Sequence, residues 1–374
     1  MQMEEKIRKL LIFVLEIFAM AMLYMLLSSA GIYKYIVVGT VCLLICVINY
    51  QKIDSALAEG YLFIPVLLYC GMGGALSLCG GTMTLWTVKN FAFWIFPVIV
   101  SLSLRTIYED DRRHMIDIQF CGCVMAYVLP IIEWLLFGGG LAESIYAFPL
   151  GVFFIYYMWR HEWLKVCVIA MLLYFSNKRI AILAVVLSVA LMLFMRCVAY
   201  SKKWIKIIWG LLCGVACFYV YSISSGLFEQ ICYRFGINTT YRLDVYTQLS
   251  EHIPKNYFLG EGIGTANKMI YEFVDPGLIW AFENPHNDLL KLFLELGSIG
   301  LVMFMISYFV VFKIAEKKIT QRALSQLFVI FVYFVLLMTT DNVSIYILFL
   351  VPMHSICLAL LGEKKENEDE YHAK

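Results

Sequence analysis

The chain has 374 residues, 62% hydrophobic and only 15% charged, with a formal net charge of +1 and a mean hydropathy of +0.79. These values exclude a soluble globular domain and place the chain among all-α polytopic membrane proteins. The net charge decides little; where the charges fall along the chain decides more.

The N-terminal stretch, residues 1–9, is short and basic, and the apolar run after it is long enough to stay as a first helix. Apolar segments follow one another at 10–29, 32–50, 58–79, 86–104, 115–137, 145–159, 163–177, 179–195, 206–223, 286–312, 323–340 and 343–361. The expectation is therefore about twelve transmembrane helices in a single integral membrane domain, 1–374. The twelve cysteines fall mostly inside these runs, as at Cys42, Cys46, Cys213 and Cys217. Cys121 and Cys123 are too close together for a metal site, so the cysteines read as small core residues and not as a disulfide or zinc framework.

Basic residues set the orientation. Arg8, Lys9, Lys52, Arg105, Arg112, Arg113, Arg160, Lys202, Lys203, Lys206, Lys317, Lys318 and Arg322 all fall on one side of the twelve segments. By the positive-inside rule both termini are cytoplasmic. The residues 362–374 then form a cytoplasmic tail, and 224–283 a large extracytoplasmic loop before helix 10. A loop of that length is expected to carry function. Within it, residues 242–252 predict a short amphipathic helix on the membrane surface. The run Gly260-Glu261-Gly262-Ile263-Gly264 follows no predicted strand, which argues against a nucleotide fingerprint.

Lys178 and Arg179 break the charge rule. The segment before them, 163–177, covers about 22 Å as a helix against a hydrocarbon core of about 30 Å. The pair either lines a wet or anionic cavity or snorkels to headgroups. Glu133 is a candidate to neutralise one of these cations. His354 reads as a core histidine, and Asp341-Asn342 as the polar tip of a tight outer turn.

The stretch from Asn284 through Pro285, His286, Asn287 and Asp288 joins the outer loop to the tenth segment. Asn284 suits an N-cap and Pro285 the first helical position, which would put His286 in the first turn of a helix. There the unpaired N–H groups favour a neutral imidazole able to act as a general base. The alternative is a histidine that only caps a membrane helix. In this helix His286, Leu290, Phe293 and Gly297 would share one face. Asp288, Lys291 and Glu295 would lie opposite and pair with one another.

Three segments together resemble the family of O-antigen ligases and O-antigen polymerases. His286 with Gly297 and Gly300 is similar to the family's His, ten residues, Gly pattern. Ser176 to Leu183, with Arg179 and Leu183, is similar to its Arg-x-x-x-Leu pattern. Arg242 to Leu249 followed by Tyr257 to Gly264 is similar to its loop segment. Lys178-Arg179-Ile180 stands where family members often carry Ser-Arg-Gly.

The resemblance implies a fold of the GT-C kind, in the bacterial cytoplasmic (inner) membrane. It also implies glycosyl transfer from a polyprenyl-diphosphate-linked oligosaccharide to a glycan acceptor on the outer face. Neither cofactor nor metal is expected, and no nucleic-acid partner. A flippase and a chain-length regulator of the same pathway are further possible partners. His286 is then the general base, Arg179 and Arg242 hold the donor diphosphate, and Lys178 and Glu295 are supporting candidates. No paired-carboxylate motif suggests a covalent route, so inversion is expected. The polymerase reading leads; ligase-type transfer to another acceptor, or a transporter of lipid-linked oligosaccharides, are the alternatives.

Overall fold

The computed structural model describes residues 2–28, 33–137, 143–236, 241–254, 257–279 and 284–363. The first half holds α1 (Gln2–Ser28), α2 (Tyr33–Ile48), α3 (Tyr50–Leu57), α4 (Ile64–Cys79), α5 (Leu85–Ile107), α6 (Arg112–Phe137), α7 (Ala147–Trp159) and α8 (Trp163–Phe175). The second half holds α9 (Arg179–Cys197), α10 (Lys202–Ser224), α11 (Leu227–Phe235), α12 (Arg242–Ser250), α13 (Thr265–Phe273), α14 (Pro276–Ile279), α15 (Asp288–Lys318), α16 (Gln321–Met338) and α17 (Ile347–Leu361). In hydrocarbon each backbone polar group must bond within its own segment, so long apolar runs resolve as helices.

Every one of the twelve expected segments overlies a helix. Among the described residues eight helices are long and apolar enough to cross a membrane, and four apolar helices are shorter: Val37–Ile48, Ala147–Trp159, Trp163–Phe175 and Ile347–Leu361. The segment 224–283 contains α11 to α14, with 237–240, 255–256 and 280–283 outside the described residues. The expected helix at 242–252 is present as α12, which buries Val245, Tyr246 and Leu249. The tail beyond residue 363 lies outside the described residues.

The pairs α1–α6, α4–α15, α5–α17 and α9–α16 pack against one another. Helix α17 is buried along its whole length and α16 along nearly all of it. A helix that is apolar all round belongs at the centre of a bundle, and these two occupy it. Lipid-facing character lies elsewhere, for example at Leu11, Leu15, Val41, Leu135 and Leu211, all exposed.

Helix α15 is broken at Gly297, whose φ of 75° and ψ of −178° leave the helical region. That backbone region is essentially open to glycine alone. A Cβ there would overlap the Phe258 carbonyl. The break frees backbone groups, and the preceding loop satisfies them. Ser298 N–H donates to Tyr257 O at 3.0 Å, Ile299 N–H to Phe258 O at 3.1 Å, and Gly262 N–H to the Glu295 carbonyl at 2.9 Å. The glycine run of the loop is thus a packing device: a Cβ on Gly260 would strike the Glu295 carbonyl, and Gly262 and Gly264 have positive φ. The loop continues onto α4 and α5, where Ser77 and Thr87 hydroxyls both donate to the Ile263 carbonyl, at 3.4 and 2.8 Å.

Candidate functional site

Helix α15 starts later than the sequence predicts. Asn287 is its N-cap, the side chain accepting from Leu290 N–H at 3.0 Å. Asn284 is not the cap because its side-chain oxygen accepts from Asn267 Nδ2 at 3.1 Å. His286 precedes the cap with a left-handed φ of 48°, so it does not share a helical face with Leu290 and Phe293. This placement removes the imidazole from the first helical turn and turns the residue away from the regular helix. Positive φ at a non-glycine residue costs about 1–3 kcal/mol and persists only where the surroundings enforce it.

The enforcing contacts come from the turn between α16 and α17. Asn287 N–H donates to Asn342 Oδ1 at 3.2 Å, and Asp288 N–H to the Asp341 carbonyl at 3.3 Å. Asp288 in turn accepts from Ser344 N–H and Ser344 Oγ, at 2.7 and 2.6 Å. Asn287 Nδ2 donates to the Tyr219 hydroxyl at 3.2 Å, and the Tyr246 hydroxyl donates to the His286 carbonyl at 3.4 Å. The histidine turn is therefore held by α10, α12 and the 341–344 turn together.

Asp341 and Asn342 do lie in the expected turn, between α16 and α17, but that turn is buried. They are 0% and 1% exposed. Asp341 Oδ1 faces His286 Nδ1 at 3.7 Å, and Asp341 Oδ2 pairs with Lys178 Nζ at 2.9 Å. The Tyr346 hydroxyl donates to the same carboxylate at 3.3 Å. Burial pushes the Asp341 carboxyl up, but His286 and Lys178 outweigh it and hold it at about 2. The converse holds at Lys178: burial disfavours its charge, yet Asp341 and Glu143 keep its ammonium above the ordinary lysine value. Glu143 pairs with Lys178 at 2.8 Å, so the carboxylates on this cation are Glu143 and Asp341 and not Glu133. Of the readings open for Lys178, the anionic one fits, since its ammonium turns inward to a buried acid and also lies over the Phe148 ring.

Arg179 opens α9 beside Lys178; it is exposed and has no hydrogen bond or ion pair to the described residues. Arg242 opens α12. Burial pushes the Tyr246 hydroxyl up to about 12, and the Arg242 charge on the same helix opposes that push. Tyr246 donates to the His286 carbonyl and Asp341 pairs with Lys178, so the structure brings His286, Lys178 and α12 to one locality. Arg179 neighbours Lys178 in sequence, but no contact with the described residues ties its side chain to this locality.

Glu295 does not belong to that group. It is fully buried, accepts from the Tyr69 hydroxyl at 2.5 Å and from Gly264 N–H at 2.8 Å, and so anchors the glycine loop. The predicted pairing of Asp288, Lys291 and Glu295 is replaced by longer-range partners. Lys291 Nζ donates to Asn90 Oδ1 at 2.8 Å, and Asn90 donates to Asn267 at 2.8 Å. Burial explains the change: from Asp288 to Gly297 every residue is buried, so each polar group is claimed by a neighbouring element. His354 is a core histidine, edge-on to Phe63 at 5.2 Å.

Sequence reasoning missed Asp341, Asn342, Tyr219 and Tyr246. An Asp-Asn pair between two apolar spans was the available signal, and it reads equally well as a turn. Among the described residues no cluster of three or more His, Cys, Asp or Glu is spaced to hold a metal ion.

A family model described as O-antigen ligase matches residues 164–305, which runs from α8 through the His286 turn and into α15. No curated protein matches the chain.

Proposed function

We propose that this chain, a membrane protein similar to the O-antigen ligase family over residues 164–305, is a glycosyltransferase. On this reading it polymerises polyprenyl-diphosphate-linked oligosaccharide repeat units of a bacterial surface polysaccharide. It acts at the outer face of the cytoplasmic membrane, with both termini inside. The observation that carries the reading is the buried Asp341 carboxylate shared between His286 and Lys178 at the start of a broken helix.

A carboxylate facing Nδ1 favours the tautomer with the proton on that nitrogen, leaving Nε2 to accept a proton. The acceptor sugar hydroxyl would bond to Nε2, lose its proton as it attacks the anomeric carbon, and form the new glycosidic bond. The bond to the diphosphate breaks, and the lipid diphosphate leaves with the electron pair. Arg179 and Arg242 take the diphosphate, where a guanidinium fork matches phosphate oxygens in two bonds. Asp341 is occupied by cations and a tyrosine, so it serves the histidine and not the sugar; one displacement with inversion follows.

The description of the matching family favours a second reading, transfer of a finished glycan to a different acceptor. Reconstituted protein given a single lipid-linked repeat unit separates the two. A ladder of products supports the polymerase; product only after a second lipid or protein is added supports the ligase. In either case His286→Ala should lose on the order of 10²–10⁴-fold in rate. His286→Gln keeps a hydrogen bond without a proton acceptor and should be nearly as poor. Restoration of most activity by Gln would remove the histidine from catalysis.

A further inference from the structure

At the end of α15 far from His286 the molecule carries a second charged feature. Lys202 and Lys206 of α10 flank Glu316 of α15, at 3.4 and 3.8 Å. Lys313 of α15 stands exposed one turn before Glu316, its ammonium 5.6 Å from the Phe309 ring. The three lysines and Glu316 rim a shallow crevice between α10 and α15, with Ile205, Phe309, Phe312 and Leu324 forming its apolar floor. Two of these cations share one carboxylate in long ion pairs, and the third lies over a phenyl ring. The helix backbone adds no compensation, because the first turn of α10 carries Lys202 and no acidic residue.

The surface next to this rim is apolar. Ile306, Val310 and Lys313 follow one another at i+4 and i+3 on α15, and Ile306 and Val310 are 52% and 39% exposed. A lysine cluster that ends an exposed apolar stripe on a membrane-spanning helix matches a molecule with an anionic head and a hydrocarbon tail. We propose that this crevice binds the headgroup of an anionic phospholipid, with one acyl chain lying along Ile306 and Val310. Charge complementarity selects the anionic head, and the adjoining stripe selects a lipid over a free anion. The site lies about 35 Å along α15 from the histidine turn, so it stands apart from the proposed glycosyl transfer.

The test uses the full-length protein in a neutral detergent, with phosphatidylglycerol, phosphatidylcholine or inorganic phosphate added, and native mass spectrometry to count retained lipids. One phosphatidylglycerol should be held more tightly than any phosphatidylcholine, and excess inorganic phosphate should not displace it. Replacing Lys202, Lys206 and Lys313 together by Gln should weaken its retention by about fivefold per lysine, on the order of 100-fold in all. Glu316→Gln, which removes the competing carboxylate, should strengthen it. Equal retention of the two lipids, displacement by inorganic phosphate, or unchanged retention in the triple variant would each overturn the proposal. A weaker hold in Glu316→Gln would do the same.

Discussion

Asp341→Asn offers a sharp test of the site because its consequence can be worked from the structure. The carboxylate is fully buried and still held at about 2, against its ordinary 3.8, by His286 and Lys178. At 1.36 kcal/mol per pH unit this depression corresponds to about 2–3 kcal/mol of stability. The sign follows from linkage: a depressed carboxyl stabilises the fold fully above its unfolded value near 4, and loses that contribution as pH falls through about 2. Asp341→Asn should therefore be less stable by about 2–3 kcal/mol at pH 7, by the same amount at pH 5, and by progressively less below pH 4. Denaturant unfolding in detergent, followed by tryptophan fluorescence across this pH range, reads the difference. Activity should fall as well, since the amide removes the negative charge that faces the imidazole and pairs with Lys178. A variant as stable as wild type at pH 7, or a penalty that keeps its size below pH 3, would refute the shared-carboxylate account.

Arg179→Lys keeps a charge but loses the planar fork; with its side chain exposed, expression should persist while activity drops at least tenfold, and Arg242→Ala should behave alike in the same polymer assay. Gly297→Ala forces a side chain into a glycine-only conformation against the Phe258 carbonyl and should cost about 1–3 kcal/mol or more, measured by the same denaturant unfolding. Asn287→Ala removes the α15 cap and should cost about 0.5–2 kcal/mol. For orientation, Cys232 is buried and native labelling would miss it, whereas a cysteine introduced at the exposed Glu272 should react with impermeant reagents added from outside; labelling only from the cytoplasm would reverse the proposed sidedness.

The positions of the apolar helices were legible because hydrophobicity over a span is a local property. Each segment could be read without knowing its neighbours, and all twelve overlie helices. The start of α15 was not legible in the same way. Asn284 and Asn287 are equally good caps in isolation, and the choice is made by Asn267, which takes the Asn284 side chain. The partner of His286 was hidden for a similar reason. Asp341 is 55 residues away in sequence, beyond the two helices α15 and α16, and nothing in its own neighbours tells a buried acid from a turn. Glu295 sat in the right motif but serves the loop, a distinction that depends on Tyr69 and Gly264. The glycine run is visible in the sequence; its purpose, letting backbone lie on backbone at the Gly297 break, emerges only in three dimensions.

The lacing around that break also sets the order in which the molecule can be assembled. Tyr69 bonds to a residue 226 positions later, Asn90 to one 201 positions later, and Thr87 to one 176 positions later. A chain made from its N-terminus inserts α4 and α5 long before these partners exist. Until then Tyr69, Asn90 and Thr87 wait without the acceptors and donors that later close over them. The segment bearing His286 docks in the same event that satisfies these waiting groups, and the Asp341 turn arrives only after one further span has entered. Synthesis thus supplies the parts of the proposed site in sequence but completes them together, near the end.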